Sequence, residues 1–236
     1  MVRPTVRLVW IVVLVGVIAA TASARARAAE AIPASFPAAG HLRVATLVVR
    51  ARPDSASAAV RVFREFRGDY RPQVVLAVAA KTGRDGRPWL KLQVPMRPNG
   101  RVGWVPAAAV DVRPVHTRVV VHRGARRLDL FERGRRVYTT RVAVGAPGME
   151  TPVGHFYVTA RFVPEDGFLG SFAFETSAYS KLSEWPGGGV VGLHGTSMPW
   201  LLGRAVSHGC VRISNTAALA LKRYVLLGTP IDIVSA

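Results

Sequence analysis

The stretch SHGCVRIS, residues 207–214, holds the chain's single cysteine, Cys210. A lone thiol closes no intramolecular disulfide. It is a buried small hydrophobe, an intermolecular link or a reagent. A reagent needs thiolate, a base, and somewhere to put developing negative charge. A free thiol with a pKa of ~8.5 is mostly protonated at neutral pH. A neighbouring cation or helix N-terminus lowers that value, and both are in reach here. Arg212 lies two residues on, and Ser214-Asn215-Thr216 offers N-cap chemistry for a helix starting just downstream. The thiol is therefore expected to titrate below a free cysteine.

Two histidines are candidate bases. His208 is two residues from the sulfur, but turn-prone Gly209 lies between them and leaves their relation open. His194 comes from a separate segment and can meet the sulfur in space, as the base of a Cys-His site generally does. His194 is thus favoured, with the Gly195 carbonyl placed to orient its imidazole. The N–H groups of Gly209 and Cys210 are candidate oxyanion donors, since Gly209 has no side chain to block the approach. A metal reading is weaker. His-x-Cys is not a usual close ligand pair, and no second cysteine exists. Neither metal nor cofactor is expected. His41, His116, His122 and His155 are assigned to structural hydrogen bonding.

These side chains need a scaffold. From residue 118 the pattern is antiparallel meander: RVVVHR (118–123), RLDLFE (127–132) and RVYTTRVAV (136–144), separated by Gly124 and Gly134. HFYVTA (155–160) is a further strand. VVGL (190–193) is a short buried strand that delivers His194 at its end. Residues 217–226 predict a helix stopped by Gly228, and TPIDIV (229–234) closes with a strand. Upstream, residues 41–113 show short apolar runs between turn signals, including VVLAVA (74–79) and an Asn99-Gly100 hairpin signal. That spacing suggests a small barrel, with Pro114 as the boundary. Residues 25–40, rich in Ala and Pro, read as a linker.

The N-terminus suggests export. Arg3 and Arg7 precede a 13-residue apolar run, residues 8–20, and Ala22-Ser23-Ala24 is a cleavage pattern. The run is short for a bilayer span of ~20 residues. Residues 1–24 are expected to be a signal peptide, with an uncleaved anchor as the alternative. In either case the rest of the protein lies outside the cytoplasmic membrane, which it touches only through that segment. The formal charge of +18 falls to +16 without residues 1–24. Such a charge favours anionic cell-wall polymers as neighbours. No nucleic-acid motif is present, and export argues against nucleic acid as a partner.

TPVGHF (151–156), GLHGT (192–196) and AVSHGCVRISN (205–215), in that order, resemble the catalytic domain of the L,D-transpeptidases. The resemblance covers about residues 115–234. Twelve residues separate His194 from Ser207, and the last motif position is Arg212 rather than asparagine, both features of a compact branch. Residues 41–113, with "LVVRARPDSAS" and "WLKLQVPMRPNGRVGWVPAAAV", resemble bacterial SH3-like domains. The implied fold is mainly β: an SH3-like barrel (41–113), then an L,D-transpeptidase-type β-sandwich (115–236) with one helix after the cysteine.

The resemblance places the nucleophile on Cys210 and the base on His194, supported by the Gly195 carbonyl. It makes Ser207, His208, Gly209 and Arg212 pocket residues, and Thr151-Pro152-x-Gly154 a framework turn. Tyr179, Trp185, Met198 and Trp200 are near enough in sequence to line the pocket. The implied activity is peptidoglycan cross-linking for the cell wall and cell shape. Cys210 would take an acyl group from a stem peptide, release its terminal D-amino acid, and pass the acyl group to an amine. The alternatives are an L,D-carboxypeptidase, with water as acceptor, and a non-catalytic wall-binding protein.

Overall fold

The computed structural model describes residues 32–165, 167–184 and 187–236. The signal-peptide segment and residues 25–31 of the linker segment lie outside these residues. The first strand begins at Ala38, inside the stretch read as linker.

Seven strands form one antiparallel sheet: β1 (Ala38–Leu42), β2 (Thr46–Arg50), β3 (Ala59–Arg64), β4 (Val74–Thr82), β5 (Pro88–Gln93), β6 (Val102–Pro106) and β7 (Val110–Pro114). Their order is β3-β2-β6-β5-β4-β1-β7. The Asn99-Gly100 signal does join β5 to β6, with Gly100 at φ 84° in the left-handed region that a tight turn needs. β4 opens with four consecutive buried residues, Val74 to Ala77, rather than an alternation. Both of its faces are covered. Val75 and Ala77 join the core of their own sheet, while Val74 and Leu76 meet the fully buried Tyr157 of the second sheet. The Tyr157 hydroxyl donates to the Val74 carbonyl at 3.3 Å.

The second sheet has eight strands in the order β10-β9-β8-β17-β12-β13-β14-β16. They are β8 (Thr117–His122), β9 (Arg127–Glu132), β10 (Arg135–Arg141), β12 (Gly154–Phe162), β13 (Ala173–Tyr179), β14 (Val190–His194), β16 (Val211–Arg212) and β17 (Pro230–Val234). β8, β9 and β10 are the expected meander. β17 runs parallel to β8, and β16 parallel to β14. A small parallel pair, β11 (Val144–Gly145) with β15 (Ala205–Ser207), carries the chain into the cysteine turn.

The one α-helix among the described residues, α1 (Asn215–Lys222), packs Ala217, Ala218 and Leu221 onto the sheet core. The Ser214 side chain caps it by accepting the Ala217 N–H at 3.1 Å. The helix is shorter than residues 217–226 suggested. The Gly228 N–H donates to the Val158 carbonyl, and the Val158 N–H to the Thr229 carbonyl. These bonds draw the chain onto β12 and end the helical path. Gly228, at φ 78°, has no room for a side chain, because an added Cβ would sit 2.1 Å from the Ala39 Cβ. The fold is mainly β with one helix after the cysteine, as the sequence suggested.

Candidate active site

The pairing of β14 with β16 builds the site. These strands are parallel, with Leu193 opposite Val211 and His194 opposite Arg212. Side chains alternate along a strand, so Leu193 and Val211 point into the apolar core. His194 and Arg212 therefore share the other face. One alternation back, Gly192 and Cys210 fall on that same face. The Gly192 N–H donates to the Cys210 Sγ at 3.3 Å. A Cβ built on Gly192 would lie 3.4 Å from His194 Cδ2 and 3.8 Å from the sulfur. The imidazole edge beside Nε2 and the thiol thus meet over a position that has no side chain.

The imidazole is fixed from behind. Its Nδ1 lies 2.6 Å from the Gly195 carbonyl oxygen. A carbonyl only accepts, so Nδ1 carries the proton and the neutral ring has its lone pair on Nε2. The Asn215 side chain pins the loop that follows, its Oδ1 accepting from Ser171 N–H (3.0 Å) and Thr196 N–H (3.2 Å). An added Cβ on Gly195 would fall 2.3 Å from that same oxygen. Sequence reasoning assigned Asn215 only to the cap of α1, and nothing local marks it as a clamp.

The turn before the cysteine is tied by Ser207. Its hydroxyl donates to the Cys210 carbonyl at 2.6 Å and accepts the Gly209 N–H at 3.2 Å. This corrects one expectation. The Gly209 N–H is already spent on Ser207, so it is not a free oxyanion donor, whereas no acceptor among the described residues meets the Cys210 N–H. Gly209 is needed for shape instead. Its φ is 120°, and a Cβ there would lie 2.8 Å from the Ser180 Cβ. His208 is half-buried on the turn and is not among the residues lining the cleft.

Arg212 is buried, with its guanidinium 5.4 Å from the centre of the Phe168 ring, and its Nε has no hydrogen-bond partner. It faces the two reactive groups and influences both. Burial pulls His194 down to about 4, and Arg212 adds to that effect, while the Gly195 and Leu169 carbonyls oppose it. Burial pushes the Cys210 thiol up, and the Gly192 N–H and Arg212 only partly offset it. The expectation of a lowered thiol pKa is therefore reversed. Desolvation of the sulfur outweighs the cation beside it, and the resting pair is a neutral thiol with a neutral imidazole.

A pH profile follows from these directions. His194 stays in its basic form down to about pH 4, so the acid limb of kcat/KM should fall near 4 rather than near the ordinary 6.5. Alkylation of Cys210 by iodoacetamide should still be climbing at pH 9.0, with no plateau at neutrality. The same shift bears on stability. The folded pKa of His194 lies below the unfolded one, so the unfolded chain takes up the proton first as pH falls. About 3 kcal/mol should be lost between pH 6.5 and 4, measurable by denaturant unfolding at each pH.

The site opens into a cleft of about 780 Å3 that also contains Glu175, Tyr179 and, from β3 and the link after it, Arg61, Phe63 and Arg67. Sequence reasoning found Tyr179 but missed Gly192, Glu175 and the contribution of the first sheet. Trp200 lies elsewhere, exposed beside a separate hollow with Arg141 and Ser214. Met198 is half-buried and absent from the cleft lining, and Trp185 lies outside the described residues. Thr151 is a buried framework residue whose hydroxyl accepts the Gly145 N–H at 2.9 Å. His122 and His155 pair with Asp129 and Asp232, and His41 lies 3.3 Å from the Gln73 carbonyl oxygen. Among the described residues no cluster of potential metal ligands occurs, and no helix is long and apolar enough to cross a membrane.

A model of the YkuD L,D-transpeptidase catalytic domain matches residues 116–233. The chain is 34% identical over 116 residues to the YkuD protein of Bacillus licheniformis, covering 49% of this chain and 64% of that one. It is 32% identical over 120 residues to YkuD of Bacillus subtilis, covering 51% and 66%. The chain thus spans just under two thirds of the length of these relatives. Among solved structures, Bdellovibrio bacteriovorus Bd1075 is 26% identical with a TM-score of 0.42, covering 51% of this chain and 48% of that one. An L,D-transpeptidase from Mycobacterium smegmatis is 16% identical with a TM-score of 0.45, covering 68% and 90%.

Proposed function

The chain belongs to the L,D-transpeptidase catalytic-domain family, and from that premise we propose that it is an exported cysteine acyltransferase that cross-links peptidoglycan. The observation that carries this reading is the β14–β16 register, which sets Cys210 and His194 on one face across Gly192. The thiol attacks the carbonyl of an L-centred residue in a stem tetrapeptide as His194 Nε2 takes its proton. The Cys210 N–H receives the oxyanion, and the nearby buried charge of Arg212 favours it. As the intermediate collapses, the terminal D-alanine leaves with the proton from His194, and a thioester remains on Cys210. An amine of a neighbouring stem attacks this thioester, His194 again takes a proton, and the thiol is regenerated.

A resting neutral pair suits this sequence. The proton moves as the bond forms, so no stable thiolate has to be kept in a buried pocket. The first sheet is read as an SH3-like accessory domain, and the strongly positive chain as suited to anionic wall polymers. Incubating the mature protein with purified stem tetrapeptides tests the activity. Cross-linked dimers, resolved by mass spectrometry, are the expected product. Trimmed tripeptide without dimer would identify water as the acceptor, and hence a carboxypeptidase. Unchanged tetrapeptide would contradict an enzymatic role.

A further inference from the structure

The cleft is bounded on one side by β3 and the link after it, and that side carries two arginines, Arg61 and Arg67. Residues 65–73 link β3 to β4, and Arg67, Gly68 and Gln73 of this link line the cleft. Arg67, on this link, reaches the second sheet. Its Nη1 lies 2.7 Å from Glu175 Oε1 and 3.4 Å from the Thr159 carbonyl, and its Nε lies 3.4 Å from Asp69 Oδ1. Glu175 is held in turn by the Thr159 hydroxyl at 2.7 Å. Glu175 stands opposite Gly192 in the β13–β14 register, one strand over from the residue that donates to the sulfur. The guanidinium is therefore oriented on two of its three nitrogens beside the reactive pair. Its third nitrogen, Nη2, meets no acceptor among the described residues, and the side chain lines the cleft. Arg61 lines the same cleft, exposed and without an ion pair.

A guanidinium seated by neighbouring carboxylates, with an N–H edge left open, is pre-organised for one more oxyanion. The charged side chains lining the cleft are Arg61, Arg67 and Glu175, with Asp69 paired to Arg67 behind them, since the thiol and imidazole are neutral at rest. We propose that Arg67, positioned by Glu175, is a specificity-determining residue that binds a free carboxylate of the peptide substrate, with Arg61 adding long-range attraction. The inference rests on the acyl-transfer reading above. It assigns to the first sheet a direct part in substrate choice.

The carboxylate can belong to the donor or to the acceptor, and the two half-reactions separate them. Thioester formation on Cys210 depends on the donor alone, and dimer formation depends on both. Wild type, Arg67→Met and Arg61→Gln are assayed with donor and acceptor peptides whose carboxylates are free or amidated. Amidating one partner should raise its half-saturating concentration about tenfold for wild type, the scale of one charge-assisted hydrogen bond. Arg67→Met should show that rise with the free carboxylate and no further rise on amidation, and its maximal rate and iodoacetamide alkylation of Cys210 should stay within about twofold. Arg61→Gln, at an exposed position, should show a smaller rise that vanishes in high salt. Equal losses of Arg67→Met with free and amidated peptides would overturn the inference, as would wild-type indifference to amidation. The second result needs no variant to fold. Wild type that forms no thioester with any peptide would overturn the acyl-transfer reading and this inference with it. Normal turnover with no discrimination would overturn this inference alone.

Discussion

Replacing Cys210 with alanine will reduce turnover of a stem tetrapeptide by at least about 10^4-fold, leaving only what binding and oxyanion contacts contribute. Thermal stability should change little. The sulfur accepts a single hydrogen bond from the protein, from the Gly192 N–H, and the turn around it is tied by Ser207 to the backbone of Gly209 and Cys210, not to the thiol. Activity and melting temperature measured on the same preparation separate chemistry from folding. Cell-wall binding provides the contrast. A binding protein with a relic site would keep its phenotype in the alanine variant, whereas an acyltransferase loses its product while it still associates with the wall.

Replacing His194 with glutamine will lower kcat by about 10^2- to 10^4-fold, the usual range for a lost general base. The loop behind the ring is held independently by Asn215, whose Oδ1 accepts from the Ser171 and Thr196 N–H groups, so it should survive. The deficit should lie in the rate of thioester formation rather than in peptide affinity, because the resting thiol is protonated and Nε2 must take its proton. His208→Gln should cost less than tenfold, although His208 is nearer to the cysteine in sequence. Stopped-flow mixing with donor peptide, followed by intact-mass measurement, reads the acylation rate for both variants. A larger loss from His208→Gln would reverse the assignment of the base.

Much of the site was legible before any coordinates. The strand ending at His194, the turn carrying Cys210, the cap at Ser214 and the Gly195 carbonyl behind the imidazole are all local features. Each involves residues close in sequence or a motif of fixed spacing. What stayed hidden depends on long-range register. β13, AFETSAY, has no clean alternation, because Ala173, Phe174, Thr176, Ser177 and Ala178 are all buried between neighbouring strands. With that central strand unseen, Glu175 had no visible relation to Gly192. β3 buries only Phe63 fully, so it carries no apolar alternation to mark it, and its approach to the cleft was missed.

Two chemical expectations failed for the same reason. The cation beside Cys210 and the glycine before it were visible, but burial was not. Burial reverses the sign of the thiol shift, and only the folded turn shows Ser207 taking the Gly209 N–H. Net charge behaved differently again. The excess of arginine was obvious in composition, yet only the structure separates Arg67, oriented against Glu175 in the cleft, from the many arginines on open surface.

The central claim is that Cys210 carries the acyl group, and one mass measurement tests it directly. The full mature protein is mixed with a stem tetrapeptide in the absence of acceptor, quenched in acid, and its intact mass recorded before peptide mapping. The expected result is an adduct equal to the tetrapeptide less its terminal D-alanine and one proton exchanged at the thiol, mapped to Cys210 and removed by hydroxylamine. Release of D-alanine at a normal rate from Cys210→Ala, or turnover by wild type with the adduct on any other residue, would contradict it.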